Sequence, residues 1–257
     1  MFKSTNMKKY MLLLFFWFTD TTHAQDHGDQ QMIRYEVRYN HLFDRGSDFK
    51  LYNAQLFVQG DRSLFTMKQA DKIEASLQSN YFDASPDSLF TVYKDFESNS
   101  LLFDFFSINL QDNFYADTLH PMEWKLTSEE KMVEGIPCKK AAVWFKGREY
   151  VAWYAPSIPL SNGPWKLGGL PGLILEAYDL NKEWHATFKG MNGMNYMDFG
   201  YYERLVNKGV GDFAAYTNEL KQVLKRVSGS LSGQGISDCF TCENKSLVKL
   251  YVWEKID

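Results

Sequence analysis

Cysteine, net charge and long hydrophobic runs are all scarce in this chain of 257 residues. With three cysteines the chain is not a small disulfide-rich domain, and its length is enough to bury a core without disulfide bonds. Because 28 basic residues face 32 acidic ones, the net charge of −4 provides no attraction for nucleic acid or an anionic membrane. The composition, 45% hydrophobic and 16% aromatic, also excludes collagen, coiled coils and disordered tails, and favours a globular domain.

Residues 1–24 predict a secretory signal peptide. Two lysines precede nine apolar residues (10–18), and Ala24 ends a small-residue cleavage site. Nine residues are fewer than half of the roughly 20 that a membrane-spanning helix needs, and no longer run follows. We therefore expect a mature chain that begins at Gln25, carries no transmembrane span and lies in the periplasm or at the periplasmic face of the outer membrane.

From residue 31 to about residue 190, apolar and polar side chains alternate as they do in half-buried strands. Turn residues such as Gly60-Asp61, Lys146-Gly147 and Asn181-Lys182 separate the segments, and the connections are too short for parallel crossovers. We predict roughly nine to eleven antiparallel strands, which should curl into a half-barrel. The predicted strands are 33–39, 54–59, 63–68, 90–94, 101–106, 122–126, 140–145, 148–154, 174–178, 184–189 and 247–254.

One C-terminal amphipathic helix is predicted after Asp212, a suitable N-cap. Apolar residues recur at helical spacing from 213 to 227. Residues 72–80 predict a possible shorter helix, and residues 228–246 have the composition of a loose tail. Because no repeat or linker divides the chain, residues 25–257 are expected to form a single domain, mainly β and of the α+β class.

Proline is concentrated in residues 155–173, which we call the Pro/Gly loop. Four of the seven prolines lie there, together with four glycines. Each proline fixes a backbone angle, whereas each glycine permits conformations that are closed to other residues. Loops of this length are more often functional than accidental inside a compact domain. We expect this loop to shape the mouth of a binding site.

The loop ends in Gly169-Leu170-Pro171-Gly172-Leu173-Ile174, a run that resembles the signature of the GLPGLI family. The resemblance extends over residues 138–178 and implies an exported protein of the Bacteroidetes, without catalytic residues to carry over. A weaker similarity of shape, to the half-barrels of periplasmic lipoprotein carriers, concerns the fold alone. The flanking segments that also resemble the family are 138–141, 147–150, 152–154, 158–159, 163–166 and 175–176.

Large aromatic side chains gather on the predicted hairpin before this loop. Alternation places Trp153 and Tyr154 on opposite faces, so that both faces of the sheet carry rings. Core packing under a covering helix explains this pattern, and the alternative is an apolar cavity or a partner-binding groove with Arg148 as a polar anchor. The candidate binding residues are Trp144, Arg148, Tyr150, Trp153, Tyr154, Pro159, Pro164, Trp165, Gly169, Leu170, Pro171 and Gly172.

Motifs for catalysis are weak. Cys239 and Cys242 form a C-x-x-C with acidic neighbours, which favours a structural disulfide over a redox or metal site, and pairing of one of them with Cys138 stays open. A G-x-G-x-x-A run at Gly209 lacks the preceding strand of a dinucleotide site. The histidines are isolated, and there is no nucleophile elbow. We predict no catalytic residue, metal or cofactor.

The sequence therefore favours an exported, non-enzymatic protein that binds an apolar small molecule or a partner segment on its aromatic-rich curled sheet. A second hypothesis is an accessory protein with a solid core, whose partner is an outer-membrane or periplasmic protein. A third hypothesis, from another class, is a periplasmic thiol-disulfide protein that uses Cys239 and Cys242.

Overall fold

The computed structural model describes residues 30–39, 50–69, 90–104, 114–192, 197–218 and residue 222. Strands dominate these residues and form one sheet. In chain order the elements are β1 (Gln31–Tyr39), β2 (Lys50–Gln59), β3 (Arg62–Gln69), β4 (Phe90–Asp95), β5 (Ser100–Asp104), β6 (Phe114–Thr118), β7 (Lys125–Val133), β8 (Ile136–Phe145), β9 (Arg148–Ala155), β10 (Leu173–Asp179), β11 (Trp184–Asn192), α1 (Gly200–Lys208) and β12 (Gly211–Asp212).

The strands lie side by side in the order β12-β6-β5-β4-β3-β2-β1-β11-β10-β9-β8-β7, an open sheet of 12 strands. Neighbouring strands run antiparallel, except that the two-residue β12 pairs with β6 in parallel. The predicted fold, a large curled antiparallel sheet of mainly β class, is thereby confirmed. Two of the described strands, β6 and the short β12, were not predicted. The predicted strand 122–126 is displaced, because residues 122–124 are not in a strand and β7 begins at Lys125.

Two hairpin turns set the register of β7, β8 and β9. In both turns φ is positive at each of the two residues. It is 47° at Glu134 and 79° at Gly135, and 48° at Lys146 and 76° at Gly147. Such two-residue turns match the right-handed twist of the strands, and glycine adopts the second position without strain. The Lys146-Gly147 turn was predicted from the sequence. The first turn was not, because nearly all side chains of β7 are exposed and show no alternation of polarity.

The core follows the inner face of the curled sheet. A single cluster of buried side chains includes Phe103 and Tyr115 near one end of the strand order and Val143 and Tyr150 near the other. Trp165, from the Pro/Gly loop, belongs to the same cluster. The two ends of the sheet therefore share one core with the loop.

The outer face of β2–β5 is covered by α1 and the residues that precede it. Phe199 and Tyr202 are buried against Phe57 and Tyr93, and the rings of Tyr93 and Tyr202 stack with centroids 5.5 Å apart. This helix was not predicted, because it is short and buries a single side chain of its own, Tyr202. Helix cover was expected over one face of the aromatic hairpin that forms β8 and β9, whereas α1 covers β2–β5.

That later helix begins where the sequence predicts it. The carboxylate Oδ1 of Asp212 accepts a hydrogen bond from the Ala215 N–H at 2.8 Å, which confirms Asp212 as its N-cap. Its first turns pack Tyr216 edge-on against Phe103, with ring centroids 5.0 Å apart. None of the described helices is both long and apolar enough to cross a membrane. The predicted features at 1–24, 72–80, 228–246 and 247–254 lie outside the described residues.

Candidate functional site

Part of the Pro/Gly loop packs against the inner face of the sheet. Between Ala155 at the end of β9 and Leu173 at the start of β10, the side chains of Trp165, Leu167 and Leu170 are at most 1% exposed. Apolar side chains as large as these are stabilised by about 1.5–3 kcal/mol each when fully buried. The loop therefore supplies part of the core of the protein.

Trp165 is the centre of an aromatic cluster on this inner face. Its ring centroid lies 5.9 Å from that of Phe145, 5.6 Å from that of Tyr150 and 6.0 Å from that of Trp184. The tilted and edge-on geometries are those that aromatic pairs prefer. Trp165 reaches this position with φ of +55°, a left-handed conformation that is uncommon for a residue other than glycine.

Glycine is required at two places where the loop meets the strands. A Cβ atom on Gly172, whose φ is +150°, would lie 2.2 Å from the carbonyl oxygen of Ala155. A Cβ on Gly163 would lie 2.8 Å from the side chain of Ile174. The Leu173 N–H then donates to the Ile158 carbonyl at 3.0 Å, which ties the two ends of the loop together. Within the run from Gly169 to Ile174, the glycine at position 172 thus has a structural explanation in close backbone approach.

Lys94 holds the loop against the opposite half of the sheet. Its side chain points inward from β4 and is 1% exposed. The ammonium Nζ donates to Asn162 Oδ1 at 2.9 Å, to the Leu167 carbonyl at 2.7 Å and to the Gly163 carbonyl at 3.2 Å. All three acceptors belong to the loop and none is charged. Burial lowers the pKa of Lys94 to about 7.

A second cationic group lies where the two ends of the sheet approach each other. Lys166 is buried with its Nζ 3.8 Å from the ring centroid of Phe103, a cation–π contact. Nearby, Asp117 of β6 accepts from Lys146 at 3.0 Å. Burial works to raise the pKa of Asp117, but the hydrogen bond and charge of Lys146, with the charge of Lys166, hold it below its usual value.

The outer face of β7–β11 carries a different group of side chains. Trp153 is mostly buried there beneath two lysines, with Lys131 Nζ 4.4 Å and Lys140 Nζ 5.9 Å from its ring centroid. Lys131 also donates to Glu176, whose carboxylate is hydrogen-bonded to His185 Nε2 at 2.9 Å. Burial works to raise the pKa of Glu176, but these hydrogen bonds from His185 and Lys131 hold it below its ordinary value.

Cys138 pairs with Lys131 in the β7–β8 ladder and is a buried, free thiol. Burial raises its pKa to about 11, so the thiol stays protonated at neutral pH and is a poor nucleophile. Cys239 and Cys242 lie outside the described residues. No group of three or more metal-ligating side chains occurs within the part of the chain that the structure describes.

The candidate binding residues divide between the two faces. Arg148 does not serve as a free polar anchor: it pairs with Glu183 at 2.6 Å and Asp179 at 3.4 Å, next to the turn between β10 and β11. Trp144 is 69% exposed on the outer side of β8. The buried candidates are Tyr150, Trp153, Tyr154, Pro164, Trp165, Leu170 and Gly172, and the other exposed ones are Pro159, Gly169 and Pro171.

Sequence reasoning missed Lys94 and Asn162, and it missed the contacts of Lys131, Glu176 and His185. A signal for Lys94 does exist, because it alternates with Tyr93 and shares the inward side of β4 with Val92. A lysine at an inward position of a strand needs acceptors from elsewhere in the chain. Its partners in the loop could not be read from that pattern.

Comparison with known proteins gives a short match to one family model and a similarity of fold. The model of a family described as a protein of unknown function (Porph_ging) matches residues 143–176. No curated protein sequence matches the chain significantly. Among solved structures, PNGF-II is similar with a TM-score of 0.50 and 18% identity, over 74% of this chain and 32% of PNGF-II. A DUF1329 family protein from Desulfovibrio piger ATCC 29098 matches with a TM-score of 0.27 and 8% identity, over 69% of this chain and 90% of that one.

The similarity to PNGF-II concerns the fold, and this chain spans about a third of its length. The family match falls on β8, β9, the Pro/Gly loop and the start of β10. The matched stretch includes two of the three rings around Trp165, Phe145 and Tyr150, and the outer side chains Trp144 and Trp153. The third ring, Trp184, belongs to β11 and lies outside the match.

Proposed function

We propose that this is an exported, non-enzymatic binding protein that engages a partner protein through the outer side of β8–β10. Its own Pro/Gly loop occupies the inner face. The observation that supports this proposal is the burial of Trp165, Leu167 and Leu170 within the curl of the sheet. An apolar ligand bound there would have to displace these side chains. The accessory hypothesis with a solid core is therefore favoured over an open carrier.

The proposed binding surface, the outer aromatic face, consists of Trp144, Trp153, Lys131, Lys140 and Glu176. Register and alternation place Trp144 and Lys140 of β8 on the same side of the sheet as Trp153 of β9. Tryptophan is enriched at the centres of protein interfaces, and a Trp that is 69% exposed on a strand has little reason to be there for stability. The lysines and Glu176 would supply the polar contacts around it.

Membership of the GLPGLI family and export are part of the same proposal. The run Gly169–Ile174 lies inside the stretch that the family model matches. A signal peptide at residues 1–24 would place the protein in the periplasm or at the outer membrane, where its partner would be an outer-membrane or periplasmic protein. The intact mass of protein recovered from the cell envelope tests this directly, since the chain should begin at Gln25.

The binding proposal is tested by native purification of the tagged protein from cell envelopes, followed by native mass spectrometry. We expect a stoichiometric protein partner with the wild type and its loss with Trp144→Ala. Tyr201→Ala is the matched control, because Tyr201 is an exposed ring on α1, away from the outer aromatic face. Retention of the partner by Trp144→Ala would contradict the proposed surface. A small-molecule mass that is lost on denaturation would instead favour an apolar ligand.

A further inference from the structure

In the part of the chain that the structure describes, the buried ammonium of Lys94 has hydrogen-bond partners but no counter-charge. Its three N–H donors match three oxygens of the Pro/Gly loop, from Asn162, Gly163 and Leu167. Within the described residues, no carboxylate lies within ion-pair distance of its Nζ. Removing a charge from water without a partner of opposite charge is unfavourable even when neutral acceptors are present.

Among the described residues, the elements packed around Lys94 offer it no compensating negative charge. At the paired positions, β3 presents Ser63 and β5 presents Leu101. The charged side chain of the loop, Lys166, is itself a cation and lies over the ring of Phe103. The adjacent carboxylate, Asp95, accepts hydrogen bonds from the backbone of the β4–β5 turn instead. Burial accordingly lowers the pKa of Lys94 in spite of the three hydrogen bonds, which favour its charged form.

Seating of the loop and protonation of Lys94 must therefore be linked. With the loop in place the pKa of Lys94 is about 7, against 10.5 for the free amine. If the loop leaves, water reaches Lys94 and its pKa returns toward the free value. The released-loop state then binds more protons between these two values, so raising the pH favours the seated loop, by up to tenfold per pH unit. Below pH 7 both states are protonated and the loop is held least tightly.

We propose that the Pro/Gly loop is a proton-controlled latch on the inner face of the sheet, held more tightly when Lys94 is neutral and loosened when Lys94 takes up a proton. The loop covers an apolar surface that includes Tyr150 and Trp184, and its release exposes that surface. The latch acts on the inner face and does not depend on the partner surface proposed above. It explains why a lysine occupies a position where methionine would fill similar space without a charge.

Hydrogen–deuterium exchange of the full mature protein between pH 6 and pH 9 tests the latch. After correction for the intrinsic exchange rate, we expect the protection factor of peptides from 156–173 to rise by up to tenfold per pH unit above pH 7. Peptides from the β2–β3 hairpin should lack this rise. In Lys94→Met the loop peptides should lose the rise, whereas Lys189→Met, which removes an exposed lysine, should keep it.

Three results would overturn the latch. The first is a protection factor of the wild-type loop that does not change with pH, and the second is an equal rise of this factor in Lys94→Met. The third is an equal rise in the β2–β3 hairpin, which would indicate that only global unfolding depends on pH. If Lys94→Met does not fold, a second measurement on the wild type decides. The 13Cε chemical shift of Lys94, assigned through its contacts to Asn162, should titrate near pH 7. Titration near the 10.5 of a free lysine would refute the proposal.

Discussion

Lys146 Nζ lies 3.0 Å from Asp117 Oδ2, and this ion pair joins parts of the chain that are far apart in the order of the sheet. Asp117 is in β6, next to the short terminal strand β12, whereas Lys146 is in the turn between β8 and β9. No hydrogen-bonded ladder between described strands connects these two regions directly. The ion pair therefore links two distant parts of the curled sheet, and both of its side chains are mostly buried.

Asp117→Asn should weaken the ion pair with Lys146, since it removes one of the two charges. We expect it to lower the free energy of unfolding at pH 7 by about 2 kcal/mol. The pKa of Asp117 is held below its usual value, so its contribution is complete above that value and disappears as the pH falls through the lowered pKa. Urea denaturation at pH 7 and at a series of decreasing acidic pH values checks both statements. Glu129→Gln, which alters an exposed pair with Lys140, should have little effect.

Gly172→Ala should destabilise the protein by roughly 3–4 kcal/mol, because the added Cβ would lie 2.2 Å from the Ala155 carbonyl and neither backbone segment can retreat without disturbing the core. Gly135→Ala is the matched control: its φ is also positive, but nothing lies within 4 Å of its Cβ position. It should cost about 1 kcal/mol, from backbone strain alone. Equal losses in denaturant titrations would contradict the role of close approach at Gly172.

Cys138 should resist alkylation in the native protein and react only after unfolding, because its thiol is buried and its pKa is raised to about 11. With Cys138 free, the predicted structural disulfide would join Cys239 and Cys242. Peptide mapping of the unreduced protein, alkylated before and after denaturation, tests both points. A disulfide that contains Cys138 would refute this arrangement.

The parts of the fold that the sequence predicts are those with local causes. The Lys146-Gly147 turn follows from a glycine between alternating segments, and the N-cap at Asp212 from a short polar side chain before a helical stripe. By contrast, β7 lies at one end of the strand order with exposed side chains, so no burial pattern marks it. Helix α1 is likewise held by rings of distant strands, such as Tyr93.

The candidate site was predictable in its composition but not in its arrangement. Proline and glycine density indicated a fixed loop path, and alternation correctly placed Trp153 and Tyr154 on opposite faces. The inward fold of the loop depends on contacts between residues nearly seventy positions apart in sequence, Lys94 with Asn162 and Gly163. No local pattern encodes such a contact, which is why the inward packing of the loop was not predicted.

Asn162→Ala should lower the free energy of unfolding by about 2 kcal/mol at neutral pH. It removes an oxygen that accepts from the Lys94 ammonium at 2.9 Å and from the Gly163 N–H at 2.9 Å, and so leaves a buried donor unpaired. The pKa of Lys94 should fall further in this variant, because the charged form loses an acceptor. Thermal or urea unfolding measures the first effect and 13Cε titration the second. An unchanged Lys94 titration would mean that Asn162 does not stabilise the ammonium.

Trp165→Ala and Trp144→Ala should separate the inner face from the outer one. Trp165 is buried among Phe145, Tyr150 and Trp184, so its truncation should cost about 3–5 kcal/mol and loosen the loop. Trp144, 69% exposed, should change stability by no more than about 0.5 kcal/mol while abolishing partner binding. Denaturation curves and native mass spectrometry on the same samples give both readouts. If Trp144→Ala destabilised the fold as much as Trp165→Ala, the exposed ring would be structural and the outer aromatic face would lose its main support.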